Sequence, residues 1–421
     1  MIFESHPGRR LIEHLIEVRD IGMPRVRAEM RETYNIVGLT HDFGKYTKYF
    51  QKYLKDKEKR KESNHAFISA LFGTFVALDR GMGDEIPLLI FSTIIHHHGR
   101  LKNIQENIAN TFLDNGENKF NSNLSEKIEI AYKQILALEE QYYDIVHEMK
   151  ILGLEKEFEK FIKDKPIEDT LIKLKKIQHR LKKKNNIDLY FYHHEIYSAL
   201  ISSDKQSAAG LGDIEITQVN IGEIDEIRER KFRSKSTSEI NNIRNSIYNE
   251  VQKNIVASGN SSNIFTITSP TGTGKTITGI YAGARLRDKL NLKGKLIYVM
   301  PFTSIVDQNY EVIKSILEEM EYFEGKESRF IIKHHNLTTK TYKDDEYEYD
   351  SNQSEILIED WKSDIVVTTF VQFLESIISN RNRMLKKFHN FRDSVIIMDE
   401  VQSLDIAYYK LVEEVINKMC E

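Results

Sequence analysis

The hydrophobic period of this chain changes once along its length, and two periods of this kind do not belong to one layer of structure. Residues 1 to about 205 repeat apolar side chains three or four apart, as in 11–18, 66–78, 86–95 and 196–204, which is the period of a helix face. After about residue 240, short β-branched runs at Ile264–Thr268, Lys295–Met300, Asp364–Thr369 and Ser394–Asp399 alternate with helical stretches. That order builds an α/β domain on a parallel sheet. Between the halves, Ala-Ala-Gly-Leu-Gly at 208–212, a mixed charged stretch and the run from Ser234 to Ser238 read as a linker. The expected chain is multidomain: all-α over 1–210, linker over 211–240, α/β over 241–421. A length of 421 residues fits two such domains.

Composition narrows the class. Hydrophobic residues at 40% and charged residues at 29% suit globular domains with real cores. A net charge of -4 excludes a broadly basic protein, so nucleic acid would be held by local patches. The one cysteine, Cys420, excludes an internal disulfide and a cysteine zinc finger and fits a reducing compartment. The N-terminus has no basic-then-apolar leader. The longest apolar run, Ile86 to Ile95, is roughly half a membrane span. The expectation is a cytoplasmic protein with no membrane partner. Residues 117–185 read as one or two long amphipathic helices ending in Lys175, Lys176, Arg180, Lys182, Lys183 and Lys184. Such a run is read as a solvated helix face, with a DNA-backbone contact as the alternative.

Five places in the helical half set a His or Asp on an inward face. His14 shares a face with Leu11, Leu15 and Val18. His41 and Asp42 close the run Ile36-Val37-Gly38-Leu39 and lead into Gly44-Lys45. His65 is in register with Ile68, Ser69 and Phe72; His97 and His98 end the run through Ile90, Ile94 and Ile95; Asp204 is in register with Tyr197, Leu200 and Ile201. A single inward His is an ordinary core residue. A buried carboxylate is costly without a partner or a metal, and one shared metal centre explains all five places. Adjacent residues on a helix splay by about 100°, so His41-Asp42 and His97-His98 can address one ion from two sides, or two ions. An imidazole-rich set with carboxylates favours Mn, Ni, Co, Fe or Zn over Mg and Ca, and a pair of such ions can clamp the oxygens of a phosphodiester. Asp42 is the candidate bridge. Lys45 is a candidate for stabilising phosphate charge, with a surface or supporting role as the alternative.

In the second half, Ile264–Thr268 is expected to be a strand. It runs into Ser269-Pro-Thr-Gly-Thr-Gly-Lys275-Thr276 and then a helix, the order of a phosphate-binding loop. Gly272 and Gly274 free the loop to turn its N–H groups toward a β-phosphate. Lys275 is expected on the β/γ-phosphates and Thr276 on Mg²⁺. The run Val395-Ile-Ile-Met-Asp399-Glu400 adds Asp399 for Mg²⁺ and Glu400 to orient the attacking water, so ATP and Mg are the expected ligands.

The ordered series His14, His41-Asp42 in His-Asp-Phe-Gly-Lys, His65, His97-His98-Gly99 and Asp204, followed by a nucleotide motor, resembles the HD nuclease–helicases of type I CRISPR systems. Phe50-Gln51 and Ser198 upstream of Asp204 share in the resemblance. It implies an HD-type phosphohydrolase domain followed by the first RecA-like lobe of a superfamily 2 helicase. The implied ligands are His14, His41, Asp42, His65, His97, His98 and Asp204, holding one or two divalent ions. Three histidines, His96 to His98, stand where the family has two before a Gly; Gly99 selects His97 and His98 and leaves His96 to the core or to a position behind the ligands. His6, His193, His194, His334 and His335 are assigned no metal. Thr303, Gln308, Thr368 and Thr369 fall in segments resembling motifs that grip a single-strand backbone, and Arg381, Arg383, Lys386 and Lys387 flank them as a DNA path or a solvated surface. Gln402 stands where many relatives have His.

The implied function is metal-dependent cutting of single-stranded DNA recruited by an RNA-guided surveillance complex. The alternatives are an HD phosphohydrolase of nucleotides or cyclic oligonucleotides, or a non-catalytic DNA- or complex-binding fragment. Because the chain stops at Glu421, soon after the acidic motif, weak ATP turnover and no translocation are expected without a separate second helicase lobe.

Overall fold

A computed structural model describes residues 2–83, 85–102, 107–108, 120, 122–182, 187–212, 214–233, 238–258, 263–338 and 341–420. The chain divides into two compact units: Met1–Asp213 with Ile378–His389, and Ile214–Ile377 with Asn390–Glu421.

The first unit is helical apart from a small hairpin, β1 (Glu4–His6) and β2 (Arg9–Arg10). Its helices are α1 (Leu11–Gly22), α2 (Arg31–Thr40), α3 (Lys48–Asp56), α4 (Ala66–Asp79), α5 (Ile86–His96), α6 (Ser122–Glu139), α7 (Tyr142–Leu152), α8 (Glu155–Asp164), α9 (Ile167–Leu181) and α10 (Ile187–Ala208). Helix α4 is apolar around most of its circumference, with Phe67, Ile68, Leu71, Phe72, Phe75 and Val76 all buried; such a helix belongs inside a bundle. Helix α2 packs against α1, α4 and α5, and α10 against α1 and α5. Phe43, just past α2, stacks on Phe72 with ring centroids 4.0 Å apart. Burial of one such ring contributes about 1.5–3 kcal/mol and fixes the turn that follows α2.

The stretch expected to hold one or two long helices holds four, α6 to α9. Gly153 at φ 71° ends α7, and Lys165 at φ 48° ends α8; each turn lets an apolar face return to the core. Lys183 and Lys184 lie outside the described residues. No described helix is long and apolar enough to cross a membrane.

The second unit carries α11 (Ile221–Arg233), α12 (Glu239–Ala257), α13 (Lys275–Lys289), β3 (Leu296–Met300), α14 (Thr303–Leu317), α15 (Glu327–Phe330), β4 (Ile331–His334), α16 (Ser351–Glu359), β5 (Ile365–Thr369), α17 (Phe370–Ile378), β6 (Val395–Met398) and α19 (Tyr409–Cys420); the short α18 (Asn382–Leu385) belongs to the first unit. Its sheet is parallel, in the order β4-β5-β3-β6. Three of the four expected strands are present. The fourth, Ile264–Thr268, lies outside the sheet, with Ile264 52% and Ile267 41% exposed. A β-branched run favours a strand only where a neighbouring strand receives it, and none of the described strands pairs with it.

The stretch read as linker is partly structured. Helix α11 buries Ile224 and Ile227 in the second unit's core; residues 234–237 lie outside the described residues. The preceding Val219 is tied down by Asp364 at the head of β5, whose carboxylate accepts from Val219 N at 2.9 Å and from Arg287 on α13 at 2.5 and 3.1 Å. Both charged side chains are nearly sealed from water. Asp364→Ala strands a buried guanidinium and is expected to cost about 3–5 kcal/mol in urea unfolding. The paired change Asp364→Leu with Arg287→Met should recover most of it, because the ion pair itself is nearly neutral against an apolar pair.

Candidate metal centre and nucleotide site

Two helices of the first unit end at the same place. His41 is the C-cap of α2 and His97 the C-cap of α5. Helix C-termini carry partial negative charge and favour cations. Next to them stand His14 from α1, His65 at the head of α4 and Asp204 from α10. Asp42 lies among them with its side chain fully buried.

The two carboxylate oxygens of Asp42 face different neighbours. Oδ1 is 3.1 Å from His65 Nε2 and 3.5 Å from His97 Nε2. Oδ2 is 3.3 Å from His14 Nε2 and 3.4 Å from His41 Nε2. Asp204 Oδ1 closes the second group, 3.3 Å from His14 Nε2 and 3.8 Å from His41 Nε2. His98 Nε2 closes the first, 2.8 Å from His65 Nε2. The donors form two sets, Asp42-His65-His97-His98 and His14-His41-Asp42-Asp204, with the donor atoms of each set within 4.8 Å of one another.

Hydrogen bonding at the far side of the rings shows what these atoms are suited to hold. His41 Nδ1 donates to Gly38 O at 2.9 Å and His97 Nδ1 to Ile94 O at 2.5 Å. A carbonyl only accepts, so these rings carry their proton on Nδ1, and in the neutral form Nε2 offers a lone pair. The Nε2 atoms of His14, His41 and His97 are buried without a hydrogen-bond partner. Imidazole lone pairs aimed at carboxylate oxygens repel unless positive charge lies between them. A divalent cation fits that requirement in each set.

Without an ion, the electrostatics show the same demand for positive charge. Burial opposes charge on His41, but Asp42 and Asp204 outweigh it and raise its pKa to about 10. Burial opposes charge on Asp42 as well, yet Lys45 and His41 hold it well below the ordinary carboxylate range. Asp204 is held well below the ordinary carboxylate range, against its burial, by the His14 and His41 imidazoles beside it. Burial dominates at His65 and His98 and pushes them down to about 4 and about 2. Both are neutral imidazoles at neutral pH, the form that binds metal.

Of the two readings of Lys45, its position matches the supporting one. It is buried, with Nζ 2.6 Å from Asp42 Oδ2 and 3.4 Å from Ser5 O, so its charge balances Asp42 rather than facing open solvent. Gln51 holds this turn by donating to Lys45 O and Glu4 O at 2.8 and 2.9 Å. In the histidine triplet, His96 directs Nδ1 to Ser92 O at 2.9 Å and Nε2 to Asn107 at 3.4 Å, and so belongs to neither set. His194 donates to Tyr190 O, and neither it nor His193 joins a set. His6, assigned no metal in the sequence, joins neither set; its ring centroid lies 5.4 Å from that of His14.

In the second unit, Gly272 and Gly274 take φ 79° and 83° and α13 starts at Lys275, as a phosphate cradle requires. Thr273 Oγ1 braces the loop against Pro270 O at 2.7 Å. Thr276 bonds Asn309, and Asp399 Oδ2 accepts from Tyr298 at 3.0 Å. Glu400 sits at φ 54°, a left-handed backbone that costs a non-glycine residue about 1 kcal/mol or more, and Gln402 donates to its carboxylate. Thr303 begins α14, with Gln308 exposed on the same helix. Thr368 departs from its expected role: it is fully buried in β5 and its hydroxyl donates to His334 O at 2.8 Å, leaving no proton for a phosphate. Thr369 is nearly buried, and its hydroxyl accepts from Gln372 N at 3.3 Å. Lys386 and Lys387 are buried too, so they form no solvated patch.

Residues 249–421 match the family model of the DEAD/DEAH box helicases. A CRISPR-associated nuclease/helicase Cas3 of Haloferax volcanii is 26% identical over 86% of this chain and 41% of its own length. Crystal structures of T. fusca Cas3 with ATP and with ADP superpose with TM-scores of 0.53 and 0.54 at 16% identity, covering 99% of this chain and 49% of theirs. The chain thus spans less than half the length of these relatives.

Two measurements probe the centre. Calorimetric titration with Mn²⁺ should give two sites, both lost in Asp42→Ala and one lost in Asp204→Ala; a single site in the unaltered chain would contradict the shared-carboxylate geometry. Gly44 lies so close to α4 that a Cβ would sit 2.7 Å from His65 O and 2.5 Å from Ile68 Cγ2. Gly44→Ala is therefore expected to push His65 aside, lowering stability by about 1–3 kcal/mol and weakening the Mn²⁺ site that includes His65.

Proposed function

Taking the chain as a homologue of the CRISPR-associated nuclease/helicases, we propose that its first unit is an HD-type nuclease domain cutting single-stranded DNA, and its second the first RecA-like lobe of a helicase motor. The observation that carries this reading is the pair of donor sets sharing Asp42. A bound divalent ion polarises a phosphodiester oxygen and makes water a better nucleophile. The protein's own part is geometric. Asp42 offers one oxygen to each set, and Asp204 adds negative charge to the His14 side. The Nδ1 contacts of His41 and His97 keep the rings turned so that Nε2 faces the Asp42 carboxylate. Lys45 balances the Asp42 carboxylate from the Oδ2 side.

In the second unit, Lys275 and the loop N–H groups are proposed to hold the phosphates of ATP, Thr276 and Asp399 its Mg²⁺, and Glu400 the attacking water. Thr303 and Gln308 are proposed backbone contacts to single-stranded DNA; Thr369 contributes through the start of α17. Recruitment by an RNA-guided surveillance complex in the cytoplasm, and a second helicase lobe, belong to the same proposal.

Incubation of the chain with unstructured single-stranded DNA and Mn²⁺ is expected to give cutting that needs no ATP and survives Lys275→Ala. It should fall to background in Asp42→Ala. Equal cutting by Asp42→Ala and the unaltered chain would remove this centre from the chemistry. Hydrolysis of mononucleotides in preference to DNA would replace the substrate assignment.

A further inference from the structure

Each neutral ring in the centre must keep its proton on Nδ1, and His14 achieves this differently from the others. His41 and His97 lean on main-chain carbonyls, which can only accept. His14 Nδ1 instead meets the hydroxyl of Ser207 at 2.8 Å, and a hydroxyl both donates and accepts. Left alone, Ser207 could turn its proton onto Nδ1. The ring proton would then move to Nε2, 3.3 Å from both Asp42 and Asp204, where a metal lone pair is needed.

Glu17 removes that freedom. Ser207 Oγ donates to Glu17 Oε2 at 2.9 Å. An ionised carboxylate only accepts, and a hydroxyl has one proton, so Ser207 can only accept from His14. The four groups come from two helix faces: His14 and Glu17 are three apart on α1, and Asp204 and Ser207 are three apart on α10. Thus α10 meets both nitrogens of one ring, with Asp204 at Nε2 and Ser207 at Nδ1. Arg9 fixes the outer end: its guanidinium pairs with Glu17 Oε2 and donates to the Ser207 carbonyl.

We infer that Glu17 and Ser207 are a positioning relay that sets the tautomer of His14, with Glu17 acting on the centre without touching any of its ligands. The inference rests on the metal-centre reading above. It makes the His14-His41-Asp42-Asp204 set dependent on a carboxylate at the protein's rim, whereas the His65-His97-His98 set is independent of it.

Two readouts on the full chain test it. In Mn²⁺ titrations, Glu17→Ala and Ser207→Ala should each weaken one site about 10–100-fold, the range for lost outer partners of a ligand, and leave the other unchanged. Glu17→Gln should bind as the unaltered chain does. Arg9 and Ser207 both approach the same oxygen, Oε2, so the amide carbonyl turns to that position and still accepts. In the metal-free protein, ¹⁵N spectra of labelled histidines should show His14 protonated on Nδ1, shifting toward Nε2 in Glu17→Ala. Wild-type Mn²⁺ affinity in either alanine variant, or an unchanged His14 tautomer in Glu17→Ala, would overturn the relay. If the unaltered chain binds no Mn²⁺, the metal reading fails, while the tautomer shift still judges the relay on its own.

Discussion

The Asp42 carboxylate is the constraint around which the first unit is organised. A fully buried charge is tolerated only when its surroundings compensate it. Here the compensation comes from five directions: Lys45, and imidazoles carried by α1, the end of α2, the head of α4 and the end of α5. No one of these suffices. Lys45 reaches only Oδ2, and His65 and His98 stay neutral because burial outweighs the nearby carboxylate. With two helix C-termini adding partial negative charge, the pocket has an excess of acceptors over protons. That imbalance makes a cation site a better account of these residues than a satisfied polar core.

The same imbalance explains why this site could be read from sequence at all. Asp42 and Asp204 break an apolar face, and such breaks are rare enough to stand out against a helical period. His14, His41, His65 and His97 each fall on a helix or at its end, where register fixes direction. Gly99 set His96 apart from its neighbours in the sequence, and the structure gives the reason: a ring one residue earlier points about 100° away and finds Ser92 and Asn107. Other features depend on contacts between distant segments. Nothing local in Ser207 or Glu17 announces that they meet. Thr368 reads as a polar residue at a strand end, yet the strand beside it absorbs its hydroxyl. Ile264–Thr268 has the propensity of a strand, but pairing decides a strand and propensity does not.

In the second unit, the informative departures sit at the nucleotide loop and the acidic motif. Gly272 and Gly274 hold positive φ without penalty, whereas Glu400 holds it at a cost. Strain of this kind persists where surrounding structure enforces it, and here β6 ends directly before Asp399, with Asp399 Oδ1 accepting from Glu400 N at 3.0 Å. The glycines were legible because glycine alone takes that backbone without strain. The strained glutamate was legible only through its chemistry.

The division of the chain is less simple than one linker suggests. Residues Ile378–His389 belong with the helical unit although they lie between β5 and β6 in sequence. Within that unit Asn382 donates to His97 O at 2.8 Å and meets the Tyr197 hydroxyl, while Leu385 is buried against Tyr197 and Ile201. Ser198, singled out with Asp204 in the sequence, donates to Lys386 O at 2.8 Å. A fragment ending near residue 210 would therefore lose the group that holds the carbonyl of His97, one of the proposed ligands. The His97 ring takes its orientation from the end of α5, and the later segment adds a bond to the main chain of the same residue. The boundary between the two chemistries is thus drawn by packing, and the sequence order of the motifs does not mark it.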